Sequence, residues 1–220
     1  MPSVSPEFVW RMEDVLELYA EPYNPRYPVV CFDESPYQWL SQTRQPLRAK
    51  PGQPARYDDE YRREGTCHLC MFFEPWRGWR HVKVTERRTA KDYAQCLKDL
   101  VDGYYPKATL ISIVQDNLNT HTPAALYEVF EPAEARRLIS KLDFRYTPKH
   151  GSWLNMAEIE FAVLTSQCLD QRIGERASLE HKIAAWESRR NEAQAKVDWR
   201  FTTKQARAKL QRLYPSESVR

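Results

Sequence analysis

Several features are missing or sparse in this chain of 220 residues. No apolar run approaches the roughly 20 residues that a membrane-crossing helix needs, so a bilayer is not an expected partner. The opening Met1-Pro-Ser-Val-Ser-Pro-Glu7 has neither the basic region nor the apolar core of a secretory signal, and the expected compartment is the cytoplasm. Cysteine is scarce and odd in number: Cys31, Cys67, Cys70, Cys96 and Cys168. A disulfide framework is therefore not expected. Cys67-His-Leu-Cys70 has the spacing of half a zinc site, but a tetrahedral site needs two more ligands, and the sequence has no second pair. Free thiols on a strand are the simpler expectation. There is no internal repeat and no low-complexity tract.

A large excess of one charge is missing too. The net charge is +3, hydrophobic residues make up 42%, and the mean hydropathy is −0.72. This is the balance of a folded, water-facing chain long enough for one sizeable core. The charge is unevenly dealt. Residues 44–91 and 181–220 are strongly basic, whereas 1–43 and 112–180 are net acidic. Positive flanks around an acidic centre suit a polyanion laid across bound metal, although a solvated surface with charges dealt by chance looks the same.

The local patterns predict a helix over 5–20, opened by Ser5-Pro6-Glu7 and broken by the prolines of 22–28. Val29–Phe32 reads as a buried strand ending at Asp33, and 41–60 as a polar, Pro-rich excursion. Thr66–Phe73 and Trp79–Thr85 read as antiparallel strands joined by Pro75-Trp-Arg-Gly78. A helix over 89–103, a buried strand at Leu110–Val114 and helical pieces at 122–129 and 133–142 follow. Then come a short strand at 143–147 and helices over 152–169, 178–194 and 204–213, the last capped by Thr202-Thr203. Five strands with interspersed helices predict an α/β fold with a mixed sheet. The strand after the crossover helix can lie parallel to the first, with both presenting their C-terminal ends at one edge. The expected division is a linker helix and connector at 1–27, a catalytic domain at 28–175 and a basic helical extension at 176–220.

Carboxylates stand where that edge would be. Asp33 and Asp116 each follow an apolar strand, and Glu158 lies on the helix over 152–169. Either aspartate alone would read as a turn or capping residue. Three acids at one partly buried edge repel unless they are protonated or bridged by a cation, and hard oxygen ligands favour Mg²⁺ or Mn²⁺. Two such ions can drive in-line attack on a phosphodiester. Glu160 competes with Glu158 for the third place but points about 200° away around the helix. Glu34 competes with Asp33 in the same way, on the other side of the strand.

Four motifs stand in order along the chain. They are Cys31-Phe-Asp-Glu-Ser35, then Asp116-Asn117-x-x-x-His121, then Pro148-Lys-His-Gly-Ser152-Trp-Leu-Asn155-Met-Ala-Glu158. The fourth is Val197-Asp-Trp199-Arg-Phe201-Thr-Thr203 with Ala206-Arg207. Together they resemble the insertion-sequence-630 family of transposases, within the mariner-like superfamily, and the resemblance runs through nearly the whole chain. It implies a ribonuclease-H-like fold and Mg²⁺-dependent DNA cleavage and strand transfer, with Mn²⁺ able to substitute. It assigns catalysis and metal binding to Asp33, Asp116 and Glu158, supported by Asn117, His121 and Asn155. Asn155, three residues before Glu158, is expected on the same helix face. Lys149, His150, Trp153, Arg200, Lys204 and Arg207 are the candidates for touching DNA, Trp153 as core or as a base-stacking platform. The partners implied are element ends and target DNA, in a homodimer. Two departures stand out. The separation between Asp116 and Glu158 is 42 positions, a few more than in typical mariner-like relatives. Such relatives also carry N-terminal helix-turn-helix domains, and here a single helix precedes the first acid, so the chain is expected to be a catalytic half, either a truncated copy or the second product of a split reading frame whose helix-turn-helix portion is encoded separately. The other readings are a catalytically silent DNA-binding or assembly remnant, and a ribonuclease-H-like nuclease acting on RNA–DNA hybrids.

Overall fold

A computed structural model describes residues 5–44, 49–54 and 60–215. Helix α1 spans Pro6–Ala20, with Ser5 as its N-cap and Pro6 where a missing N–H is harmless. Strands β1 (Val29–Gln42), β2 (Tyr61–Glu74) and β3 (Trp79–Thr85) form the meander. Helix α2 (Ala90–Lys98), closed at its start by a capping box between Thr89 and Asp92, runs into a π-helical turn, Asp99–Tyr104. There follow β4 (Ile111–Gln115), the single turn α3 (Ala124–Tyr127), α4 (Pro132–Ile139) and β5 (Leu142–Tyr146). Then come α5 (Met156–Leu164), α6 (Arg176–Glu192) and α7 (Thr203–Lys209). Parts of the Pro-rich excursion, 45–48 and 55–59, lie outside the described residues.

The sheet is mixed and five-stranded, in the order β3-β2-β1-β4-β5. β1 pairs antiparallel with β2 and parallel with β4, through Val29↔Ser112, Val30↔Ile113 and Cys31↔Val114. The first strand does not end at Asp33 as the apolar run suggested. It continues to Gln42, pairing with β2 from Cys31↔Phe73 to Gln42↔Tyr61. Antiparallel pairing needs only an extended partner, so the polar residues after Asp33 remain strand although the apolar signal has stopped. What ends near Asp33 is the parallel pairing with β4.

Alternation along the strands sorts side chains to two faces. On one, Cys31, Cys67, Leu69, Met71, Phe73 and Val114 pack under α1, α5 and α6. On the other, Val30, Phe32, Cys70, Phe72, Ile111 and Ile113 pack under α2, α3 and α4. Side chains from all three expected segments meet in the first core. Met12, Leu16 and Tyr19 come from α1, and Ile183 and Trp186 from α6. Cys67 and Cys70 fall on opposite faces and are buried free thiols, an arrangement in which they cannot share a metal. Among the described residues no helix is long and apolar enough to cross a membrane.

Glu160 sits at the centre of a buried ionic cluster. Its carboxylate lies 2.8 Å from Arg80 Nε and accepts a 2.7 Å hydrogen bond from Arg190 Nε. Arg80 also donates to Asn191 Oδ1 and to the Ala195 carbonyl. This network ties α5 to β3 and α6 and removes Glu160 from competition for the metal site. Removing one partner of a buried pair leaves an uncompensated charge, so Glu160→Leu is expected to destabilise the fold by about 3–5 kcal/mol, measured by urea denaturation.

Candidate active site

The β1–β4 register carries Asp33 to the level of Asp116. Pairing of Cys31 with Val114 makes Asp33, two residues on, the counterpart of Asp116, just past the end of β4. Asp33 has the parity of Cys31, which faces the core under α5, and that helix carries Glu158 in its first turn.

One hydrogen bond seats this helix. Asn155 Nδ2 donates to the Phe32 carbonyl at 2.8 Å, and Asn155 Oδ1 accepts from Ala157 N at 3.1 Å. Asn155 is thus the N-cap of α5 and a tether to the residue before Asp33. It is extended, with φ −86° and ψ 105°, and so does not share a helix face with Glu158 as the spacing suggested. It splits the expected single helix into a 3₁₀ turn, Ser152–Leu154, and α5. Tyr19 of α1 braces the same joint, its hydroxyl donating to the Leu154 carbonyl at 2.7 Å.

The three acids feel one another. Burial raises the Asp33 pKa to about 7; the Glu34 N–H, which donates to Asp33 Oδ1 at 2.8 Å, opposes the rise, and the charges of Glu158 and Asp116 add to it. Burial also raises Glu158, with the Ser152 hydroxyl opposing and Asp116 adding. His121 is fully buried, and its Nδ1 lies 2.5 Å from Asp116 Oδ1. Burial by itself would lower the pKa of this histidine, but the carboxylate of Asp116, which accepts its hydrogen bond, and the nearby carboxylate of Glu34 raise it to about 9. The ring therefore faces Asp116 as a cation and donor. Glu34, on the opposite side of β1 from Asp33, has a side chain only 1% exposed and reaches within 3.3 Å of His121 Nε2. It is not a rival of Asp33. Alternation could exclude Glu34 from the site, but only the tertiary fold reveals that it stands behind His121.

A family described as DDE superfamily endonuclease matches residues 28–180. The chain belongs to this family. Its fold is that of the Mos1 mariner transposase. The Mos1 strand transfer complex superposes with a TM-score of 0.60 at 17% identity, over 88% of this chain and 58% of that one. The Mos1 paired-end complex with Mn gives 0.58 at 16% identity, over 88% and 59%. The complex with Mg gives 0.57 at 16%, over 98% and 65%. The chain thus spans about three-fifths of the length of those proteins. No curated protein matches it. The ribonuclease-H-like sheet expected from the motifs is the one observed.

In this DDE endonuclease the donor set fits Mg²⁺ or Mn²⁺: three carboxylates, two of them, Asp33 and Glu158, pushed upward by burial and by neighbouring carboxylate charge. Among the described residues no three His, Cys, Asp or Glu side chains are drawn together tightly enough to grip an ion. A cleft of about 740 Å³ adjoins the trio through Asp116, lined by Arg11, Asn117, Lys149, His150 and Ser152. Asp33 and Glu158 are not among its lining residues. The contribution of α1 was invisible in the sequence, where its helix read as a linker.

The remaining candidates divide. Lys149 and His150 are exposed in a turn closed by Gly151 N donating to the Pro148 carbonyl at 2.8 Å. His150 has φ 65°, a left-handed conformation that costs about 1–2 kcal/mol outside glycine. At Gly151 a Cβ would come 2.5 Å from Pro148 Cγ, so only glycine fits. Trp153 is 40% exposed and stacks on Trp199 at 6.3 Å and 13°. It is neither core nor free, but a braced surface ring. Arg200 and Lys204 are exposed, Arg200 beside Asp198. Arg207 is held by a two-pronged pair with Glu13 at 2.8 and 2.7 Å.

Because folding raises the Asp33 pKa, the folded state holds this proton more tightly than the unfolded one. The metal-free protein is then most stable, as far as Asp33 decides, below about pH 4 and loses that stability as pH rises through about 7. Asp33→Asn is expected to raise the melting temperature of the metal-free chain by several degrees at pH 8, on the order of 2 kcal/mol after solvent screening. Calorimetry in chelator should show the gain vanish below about pH 4.

Proposed function

We propose that the chain is the catalytic portion of a DNA transposase of the insertion-sequence-630 branch of the mariner-like superfamily, which cleaves element ends and transfers strands to target DNA. The observation that supports this most is the convergence of Asp33, Asp116 and Glu158 from two parallel neighbouring strands and a facing helix. These carboxylates would hold Mg²⁺, or Mn²⁺ in its place. When bound, the cation supplies activation of the attacking water or 3′-hydroxyl and stabilisation of the leaving oxygen.

The chain's own residues then do the following. Asn155 keeps Glu158 level with Asp33. His121 orients Asp116. Asn117, Lys149 and His150 border the cleft and receive the phosphate backbone, and the braced ring of Trp153 supports an unpaired base. Arg200 and Lys204 add backbone contacts, whereas Arg207 secures α7 to α1. The same proposal takes element ends and target DNA as the partners, with a homodimer on DNA in the nucleoid as the active form and a helix-turn-helix portion recognising the ends. A second reading is a DNA-binding assembly partner with no cleavage of its own.

Incubation with element-end duplexes separates the readings. The chain is expected to nick DNA in Mg²⁺ or Mn²⁺, and Asp116→Asn to reduce nicking at least about 100-fold, equivalent to about 2.7 kcal/mol of barrier, while DNA binding persists. Equal nicking by the variant would sink the catalytic reading. Binding without nicking under Mn²⁺ would select the assembly partner, and preferential cleavage of RNA–DNA hybrids a ribonuclease. Arg200→Ala and Lys204→Ala should each weaken DNA binding and lower the salt slope by about one, measured by fluorescence anisotropy across salt concentrations.

A further inference from the structure

Glu34 is a carboxylate in an expensive place. Its neighbour Asp33 faces the α5 side of the sheet, whereas Glu34 faces the side where Phe32 and Tyr93 pack. Burying an ionised carboxylate is costly unless partners compensate. The partners present are few. Oε2 lies 3.3 Å from His121 Nε2 and 3.7 Å from Arg88 Nε, and Oε1 accepts a long 3.7 Å contact from Cys70 Sγ. Neither Glu34 Oε2 nor His121 Nε2 has a well-aligned hydrogen bond. A buried polar pair left in this condition calls for an explanation beyond packing.

The His121 ring is otherwise tightly placed. It meets Phe32 edge-on at 5.3 Å and 74°, and Tyr93 at 4.8 Å. The His121 carbonyl accepts from Gln115 Nε2 at 2.9 Å. These contacts set the plane of the ring but not which of its edges faces Asp116. A flip about Cβ–Cγ would exchange Nδ1 for a carbon. Asp116 on one side and Glu34 on the other both select the orientation that puts a nitrogen against each. Carboxylates behind histidines that serve metal sites fix ring orientation in this way. Here the histidine contacts a carboxylate rather than a metal, one link further out.

We propose that Glu34 is a positioning residue for the metal centre: acting through His121, it commits Asp116 Oδ1 to the imidazole, so that Oδ2 is the oxygen left for the cation. Consecutive residues of β1 thereby divide the work, Asp33 as a donor on one face and Glu34 as a support on the other. This inference rests on the metal-dependent reading above.

The test uses the full chain without DNA, with Mn²⁺ affinity read by electron paramagnetic resonance and the His121 ring nitrogens read by NMR. Glu34→Met is expected to weaken Mn²⁺ binding about 10-fold or more, and Glu34→Gln, whose amide oxygen still accepts from Nε2–H, to stay within about threefold of the original. In a His121→Asn background, Glu34→Met should have no further effect. A folded Glu34→Met chain with unchanged Mn²⁺ affinity overturns the proposal, as does an undiminished effect in the His121→Asn background. Should Glu34→Met fail to fold, Glu34→Gln decides: a loss of Mn²⁺ affinity of about 10-fold or more, with the acceptor for Nε2–H retained, overturns it. An original chain that binds no Mn²⁺ overturns the metal-dependent reading as well, whereas normal binding in the original and all variants overturns this inference alone.

Discussion

The parallel pairing of β1 with β4 is the constraint on which the rest of the site depends. Three registered pairs, ending at Cys31↔Val114, bring residues more than 80 positions apart to one level. Shift that register by one residue and the side chains of β4 change faces relative to those of β1. Asp116 would then leave toward α2 and α3 while Asp33 stayed under α5. The apolar alternation of Ile111, Ile113 and Val114 against two separate cores opposes such a slip. The hydrophobic patterning of a buried strand therefore sets the placement of the carboxylates.

The third acid is positioned by a different kind of contact. Burial of Met156, Ala157 and Leu164 holds α5 on the sheet, but burial is not directional. The directional bond from Asn155 to the Phe32 carbonyl supplies the missing specificity, one residue from Asp33. Two stages with different physics thus build the trio: nonspecific burial fixes the faces, and a buried hydrogen bond fixes the axial position. At the middle of α5, Glu160 and its arginines do similar work by charge.

Gathering carboxylates opposes folding, and the strain is visible in the raised Asp33 and Glu158. Buried His121 offsets part of it at Asp116. Such a centre is less stable by itself than an apolar or amide-substituted version, as expected where function rather than stability has set the residues. A divalent cation would reverse the sign of that repulsion.

Much of this was legible in the chain. Strand and helix periodicities located the five strands and the principal helices, and the apolar runs before Asp33 and Asp116 marked both acids. The motif from Pro148 to Glu158 marked the third. Alternation set Glu34 against Asp33, and helical geometry set Glu160 against Glu158, because both rest on local repeat angles that need no tertiary knowledge. Local rules fell short where a residue answered to something distant. β1 outlasts its apolar run because β2 lies beside it. Asn155 looked helical because its bond to Phe32 spans more than 120 positions. Helix α1 looked like a linker because the core that buries Met12 and Tyr19 comes from the rest of the chain. Sequence by itself determined which groups were chemically equipped for phosphodiester chemistry. The tertiary structure decided which of them stand together and what holds them, since long-range register and buried pairing leave no periodic trace in one sequence.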